Sequence, residues 1–258
     1  MIRFENVVKR FDGREVLSGV SFEIAKGEVL AVVGPSGTGK SVLLKHLVRL
    51  LTPTSGRVWL DDVEISAATG NALEAIRARF GYLFQGGALL GWLTVAENVA
   101  LPLRERTRLA SAEIDARVAE ALAAVELTEA ADRYPAEISG GMQKRAGLAR
   151  AIVRRSDIVL YDEPTSGLDP VTSVTINRLI RRLNRKRGIT SVVVTHGLQG
   201  ALLFADRILM LKGGHVVELA PAEAFVRSTK PDVRDFLDAQ FITADSFQQM
   251  KAAYEKEF

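Results

Sequence analysis

The sequence of 258 residues contains no cysteine. That excludes a disulfide scaffold, a zinc ribbon and a cysteine nucleophile. It also lacks any apolar run near the ~18 residues that cross a bilayer as a helix; Val29 to Val33 is typical of the longest. The opening Met1-Ile2-Arg3-Phe4-Glu5-Asn6 has no apolar core and carries an early acid, so it does not read as a signal peptide. Internal repeats, low-complexity tracts and sustained heptads are missing too. Charge of one sign is scarce: 34 Lys and Arg stand against 31 Asp and Glu, a net +3. So small an excess does not mark a nucleic-acid binder. The expectation is a soluble, cytoplasmic protein with no nucleic acid among its partners.

Hydrophobic residues make up 47% and charged residues 25%, a balance that supports a sizeable core. At ~150 residues per domain the length gives one large domain or two small ones. The N-terminal third reads as strands over Ile2 to Val8, Val16 to Ile24 and Glu28 to Val33, punctuated by Asp12-Gly13 and Lys26-Gly27. A helix is predicted from Lys40 to Leu51, short strands at Arg57 to Leu60 and Phe80 to Phe84, and a helix near Ala72 to Arg79 between them. From Val95 to Arg155 the chain is Ala-rich and helical, with Ile114, Val118, Leu122 and Val125 on one helix face. Strands return at Ile158 to Tyr161 and Ser191 to Val194. Between them Pro170 opens a helix behind the cap residue Asp169. Gly213-Gly214 marks a hairpin, and the tail from Pro221 to Phe258 reads as two or three short helices. The fold class is α/β with a helical insertion.

Gly34-Pro35-Ser36-Gly37-Thr38-Gly39-Lys40-Ser41 matches the phosphate-binding loop G-x-x-x-x-G-K-[ST] in full, with the required strand before it and helix after it. Glycines there let backbone N–H groups turn onto phosphate oxygens, at the positive end of the following helix. Lys40 is expected at the β- and γ-phosphates and the Ser41 hydroxyl on Mg²⁺. The apolar run Ile158-Val159-Leu160-Tyr161 ends in Asp162-Glu163. Asp162 at a strand tip suits Mg²⁺, through water, and Glu163 suits polarising an attacking water. These two elements together read as a nucleotide hydrolase.

Ser139-Gly140-Gly141-Met142-Gln143 lies between them. With that stretch the sequence resembles an ABC-transporter nucleotide-binding subunit through about residues 1 to 240. The resemblance implies a P-loop ATPase core over 1–85 and 157–220, with antiparallel N-terminal strands. It further implies a helical subdomain over about 86–156, followed by a helical tail over 221–258. In the family signature L-S-G-G-Q this chain has Ile138 first and Met142 last. Ser139, Gly140 and Gly141 would clamp a γ-phosphate from the start of their helix. The same resemblance places Phe11 against adenine and makes Gln85 the glutamine that senses Mg²⁺ and the attacking water. Ser166-Gly167-Leu168-Asp169 matches the D-loop, and His196 the switch histidine on the γ-phosphate. Gly197 stands where an acid commonly follows that histidine. One P-loop and one signature per chain imply that two copies sandwich two ATP molecules, with Mg²⁺, and that a separate permease crosses the membrane.

Several stretches are similar to the Mla/Mce-type phospholipid transport ATPases. They are Phe84 to Leu90, Leu93 to Val99, Leu101 to Glu105, Ser41 to His46, the S-G-G-M signature and Lys230 to Leu237. This likeness implies an integral permease, an Mce-type lipid-binding protein and a small STAS-domain partner. It also implies a place at the cytoplasmic face of the inner membrane. Two other classes stay open: the ATPase of a polar-solute importer, and a soluble ABC ATPase of DNA maintenance. The apolar Gly86 to Leu93 segment with Trp92 reads either as a docking groove for the permease or as core. The basic run from Arg178 to Arg187 reads as a solvated helix face. The stripe Phe247, Met250, Tyr254 calls for a covering surface, on the permease or on the same chain.

Overall fold

The structure, a computed structural model, describes residues 1–256; the last two residues of the expected tail, 257–258, lie outside the described residues. In chain order the elements are β1 (Ile2–Phe11), β2 (Arg14–Ile24), β3 (Val29–Val33), α1 (Lys40–Leu47), β4 (Ser55–Leu60), β5 (Val63–Glu64), α2 (Gly70–Ala78) and β6 (Phe80–Leu83). Then come α3 (Val95–Arg106), α4 (Ser111–Ala124), α5 (Gly140–Ile152), β7 (Ile158–Asp162), α6 (Pro170–Arg187) and β8 (Thr190–Val194). The chain closes with α7 (Leu198–Phe204), β9 (Arg207–Lys212), β10 (His215–Pro221), α8 (Ala222–Val226), α9 (Pro231–Asp238) and α10 (Ala244–Glu255). No helix among the described residues is long and apolar enough to cross a membrane. The chain divides into two compact units, residues 1–76 with those from 192 onward, and residues 77–191.

In the first unit an antiparallel sheet runs β2-β1-β4-β5. Asp12 and Gly13 both take positive φ, 47° and 80°, and pair Phe11 with Arg14 across a two-residue turn. Two left-handed residues match the right-handed twist of the flanking strands, so the Asp-Gly signal sets this hairpin. Phe4 stacks on Phe22 at 4.6 Å on the covered face. A second set of strands runs β10-β9-β3-β8. All five residues of β3 are buried, and it pairs with β9 in parallel. Burial on both faces explains the unbroken apolar run. The β9–β10 hairpin turns at Gly213-Gly214, both at positive φ.

The predicted helix from Lys40 stops at Leu47 rather than Leu51. Arg49 takes φ 55°, its N–H donates to the His46 carbonyl, and the Leu50 N–H donates to the Lys45 carbonyl. That is a left-handed helix stop with its paired bonds, built on an arginine where glycine is usual. The three tail helices fold onto this unit. Phe225, Val226, Val233, Leu237, Ile242 and Phe247 join Leu198, Ala201, Ile208 and Met210 in one core, with Met250 packed against it. The stripe read from the tail sequence is therefore covered by the chain's own helices.

In the second unit β6 and β7 pair in parallel. The predicted helical stretch from Val95 breaks into α3, α4 and α5, with short 3₁₀ turns at Thr128–Ala130 and Pro135–Glu137. Ile114, Val118 and Leu122 face inward on α4 as their spacing predicts, with buried Val125 at its C-cap. Asp169 caps α6, its carboxylate accepting from the Thr172 N–H at 3.0 Å. The basic run on α6 is knitted into the unit. Arg182 pairs with Glu126 at 2.6 Å and donates to the Ala124 carbonyl, while Arg187 pairs with Glu120 at 2.8 Å.

Candidate functional site

The first unit holds the loop from Gly34 to Ser41. Gly34 leaves β3 at φ 141°, where a Cβ would collide with the carbonyl oxygen of Leu211. Gly39 sits at φ 97° as the N-cap of α1, and a Cβ there would lie 2.9 Å from Leu17 Cδ2. Pro35, Ser36 and Gly37 form the exposed tip, and Thr38 Oγ1 donates to the Pro35 carbonyl at 2.9 Å. Lys40 is 7% exposed, with Nζ donating to the carbonyls of Gly34 at 2.8 Å and Pro35 at 2.9 Å. Its ammonium thus lies inside the curl of the loop. No side chain caps the first turn of α1 and no acid stands in it, which keeps the positive end of the helix available to an anion.

The same unit carries Phe11 and His196. Phe11 is 39% exposed, with Lys9 Nζ 4.9 Å from its ring centroid. His196 is exposed at the end of the loop after β8. Behind it Gly197 is the N-cap of α7 and offers no side-chain bond. The Gly197 N–H donates to Thr195 Oγ1 at 3.0 Å, and the Leu198 N–H donates to Gln240 Oε1 at 3.2 Å.

The second unit holds the acids, the signature and Gln85. All five residues of β7 are buried, and it delivers Asp162 at 8% exposure. The Tyr82 hydroxyl donates to Asp162 Oδ2 at 3.3 Å. Burial, and then the neighbouring carboxylate, raise the phenol's pKa, so it stays a donor. Glu163 follows at φ 50°, a left-handed backbone that needs support from around it. Its carbonyl accepts from Lys144 Nζ and from the Ser166 N–H, each at 3.2 Å. Burial lowers the Lys144 pKa, opposed by the charges of Glu163 and Asp162. Asp169 is exposed and spends its carboxylate on Thr172, a bond that also lowers its pKa.

Ser139 is the N-cap of α5, with Oγ accepting from the Met142 N–H at 3.3 Å. Ser139 and Gly140 are exposed, whereas Gly141 is buried where a Cβ would strike Thr172 Cγ2. Gln85 is exposed just beyond β6. Gly86, Gly87 and Ala88 then take positive φ in succession, at 87°, 79° and 48°. Arg150 of α5 pins this bend, donating to the carbonyls of Gly87 at 2.6 Å and Ala88 at 2.8 Å. Buried Asn98 closes the following loop. Its Oδ1 accepts from the Leu90 N–H, and its Nδ2 donates to the carbonyls of Leu90, Leu93 and Thr94. Trp92 projects from that loop at 74% exposure. Tyr82, Lys144, Arg150 and Gln240 are absent from the sequence reading, because each acts through a partner distant in the chain.

The residues fit a nucleotide with its metal. Gly34 and Gly39 leave no room for side chains, and an ammonium lies within the curl. In the first unit Ser41 follows Lys40 with a hydroxyl oxygen, and in the second Gln85 and Asp162 carry oxygens of the hard kind that Mg²⁺ takes.

Known proteins give the class. The family model described as ABC transporter matches residues 17–166. Mycobacterium tuberculosis has a relative named "Probable ribonucleotide transport ATP-binding protein mkl". It is 42% identical over 241 residues, which cover 93% of this chain and 67% of the relative. The "Methionine import ATP-binding protein MetN" of Xanthomonas campestris is 42% identical over 242 residues, covering 92% and 72%. Among solved structures, the dimeric post-hydrolysis ATP-binding cassette MJ0796, bound to ADP and Pi, superposes with TM-score 0.78 at 36% identity. It covers 86% of this chain and 99% of that one. The cbiO1 subunit of the Clostridium perfringens cbiONQ transporter complex gives 0.81 at 28% identity, covering 92% and 94%. The chain belongs to the ABC transporter family. It is an ATP-binding subunit of that family, an ATPase whose ligands are ATP and Mg²⁺.

Proposed function

We propose that two copies of this chain sandwich two ATP molecules and drive a separate permease that moves phospholipid between membranes. The core over 1–85 and 157–220 binds and hydrolyses, and the helical subdomain over 86–156 carries the signature and the docking loop. Lys40 and the amides from Gly34 to Ser41 take the phosphates. Phe11 takes the adenine, and Ser41, Gln85 and Asp162 serve Mg²⁺. Glu163 polarises the attacking water, while His196 meets the γ-phosphate as charge builds there. Ser139, Gly140 and Gly141 engage the other copy's ATP, with Asp169 beside that interface. The cassette sits on the cytoplasmic face of the inner membrane, with a Mce-type lipid-binding protein and a STAS-domain protein as further partners.

The observation that carries the docking half of this reading is Trp92. It stands 74% exposed on a loop fixed by a buried asparagine, and exposed aromatics of this kind anchor partners. The lipid cargo rests on the segments Phe84 to Leu90, Leu93 to Val99, Leu101 to Glu105 and Lys230 to Leu237. A second reading, the ATPase of a polar-solute importer, is favoured by the 42% identity to the methionine-import relative.

The test is affinity purification from membranes alongside ATPase assays. The parental chain is expected to bring down a lipid-type permease, and Trp92→Ala to recover less of it while still binding ATP. Glu163→Gln is expected to bind ATP and sediment as a dimer, with hydrolysis reduced ~10²–10⁴-fold. Recovery of a polar-solute permease overturns the lipid reading. A strictly monomeric ATP complex of Glu163→Gln refutes the sandwich.

A further inference from the structure

The residue after His196 is glycine, and the helix that starts there has no cap of its own. Gly197 contributes no side-chain acceptor, and its own N–H turns back to Thr195 Oγ1. The first N–H of α7, on Leu198, is taken instead by Gln240 Oε1 at 3.2 Å, from 42 residues downstream. A side-chain oxygen on an N-terminal amide is what an N-cap supplies, and helix ends left without one are less well fixed.

Gln240 is itself firmly placed. It lies at the end of α9, where Phe241 takes φ 55°. The Phe241 N–H donates to the Asp238 carbonyl, and the N–H groups of Gln240 and Ile242 both donate to the Leu237 carbonyl. Such a stop fixes the chain's exit direction. Leu237 and Ile242 on either side are buried in the same core as Leu198, Ala201 and Leu202 of α7. The tail and the helix behind His196 therefore share one packed interior, and Gln240 is the polar bridge at its rim.

We propose that Gln240 is a positioning residue for His196. The tail supplies the cap that position 197 lacks, and so holds the start of α7 and the histidine ahead of it in the geometry that hydrolysis requires. This rests on the reading of His196 given above. It makes the C-terminal tail a working part of the ATPase rather than an appendage. Position 197 also has room for the missing group: a Cβ there meets only Thr195 Oγ1, at 3.5 Å, with φ −83°.

The experiment compares kcat and the affinity for a fluorescent ATP analogue in the full-length chain. Gln240→Ala is expected to lower kcat about fivefold, the rate equivalent of a typical lost N-cap, with affinity changed less than about twofold. Gln240→Glu keeps an acceptor oxygen and is expected to keep the rate. Gly197→Asp placed on top of Gln240→Ala returns a local cap and is expected to restore it. A parental kcat in Gln240→Ala, with His196→Ala slowed, overturns the proposal and leaves the His196 reading standing. A loss that neither Gln240→Glu nor the added Gly197→Asp avoids also overturns it, since the tail then acts through packing. If His196→Ala keeps the parental rate, the role given to the histidine itself has failed.

Discussion

His46 makes the phosphate-loop helix acid-sensitive. It lies on α1 at 1% exposure, and its Nδ1 bonds the Val42 carbonyl at 2.7 Å. Nε2 is buried with no hydrogen-bond partner. Burial lowers its pKa from 6.5 to about 4; the Val42 bond opposes this, and Lys9 adds to it. Above pH 6.5 the imidazole is neutral folded or unfolded, so it adds no pH dependence. As pH falls from 6.5 towards 4 only the unfolded chain takes the proton, and stability is lost across that window. At 1.36 kcal/mol per unit the whole interval is worth about 3 kcal/mol, a large share of a typical stability of ~5–15 kcal/mol. Urea unfolding from pH 7.5 to 4 is the assay, on the parental chain and on His46→Gln. Their difference removes what all other groups contribute. The parental advantage is expected to shrink by about 3 kcal/mol on acidification and to level off below pH 4. A difference that stays constant with pH would refute the burial argument. So would an imidazole titrating near 6.5 by NMR in the folded chain.

Two further substitutions probe the scaffold. Gly34→Ala forces a Cβ onto the Leu211 carbonyl at a backbone angle open to glycine; ATP binding measured by calorimetry is expected to disappear, and unchanged affinity would show the loop to be shaped otherwise. Phe247→Ala empties a site 1% exposed in the core beneath α10. It is expected to cost ~3–5 kcal/mol in denaturant unfolding, and a loss under ~1 kcal/mol would mean that α10 is only loosely docked.

What was legible in the sequence is what depends on near neighbours. The Asp12-Gly13 break between strands, the Asp169-Pro170 helix start and the glycine-lysine loop each state their geometry within a few residues, and each lies where expected. The end of α1 at Leu47 is hidden from the sequence because Arg49 takes the left-handed stop that glycine usually marks. Lys144 supporting Glu163, Tyr82 holding Asp162 and Gln240 capping α7 join positions 19, 80 and 42 apart. Nothing local in the sequence encodes such meetings. Trp92 was ambiguous for another reason: an apolar loop has one composition whether it is covered or displayed. Exposure is decided by Asn98, which draws the backbone around itself and leaves the indole outside.

That loop has a consequence for the rate at which complexes form and dissolve. A flexible docking segment must be ordered at the moment of contact, and each immobilised side chain then subtracts ~0.5–1.5 kcal/mol from affinity. Here the bend at Gly86, Gly87 and Ala88 is clamped by Arg150, and the turn beyond it is closed by four bonds to Asn98. The ordering is completed when the domain folds, before any partner arrives. On the docking role proposed for Trp92, a membrane partner would meet a stud already ordered rather than a strand in motion. Loosening the stud from beneath, at Asn98, would then shorten the lifetime of that proposed complex without altering the exposed indole itself.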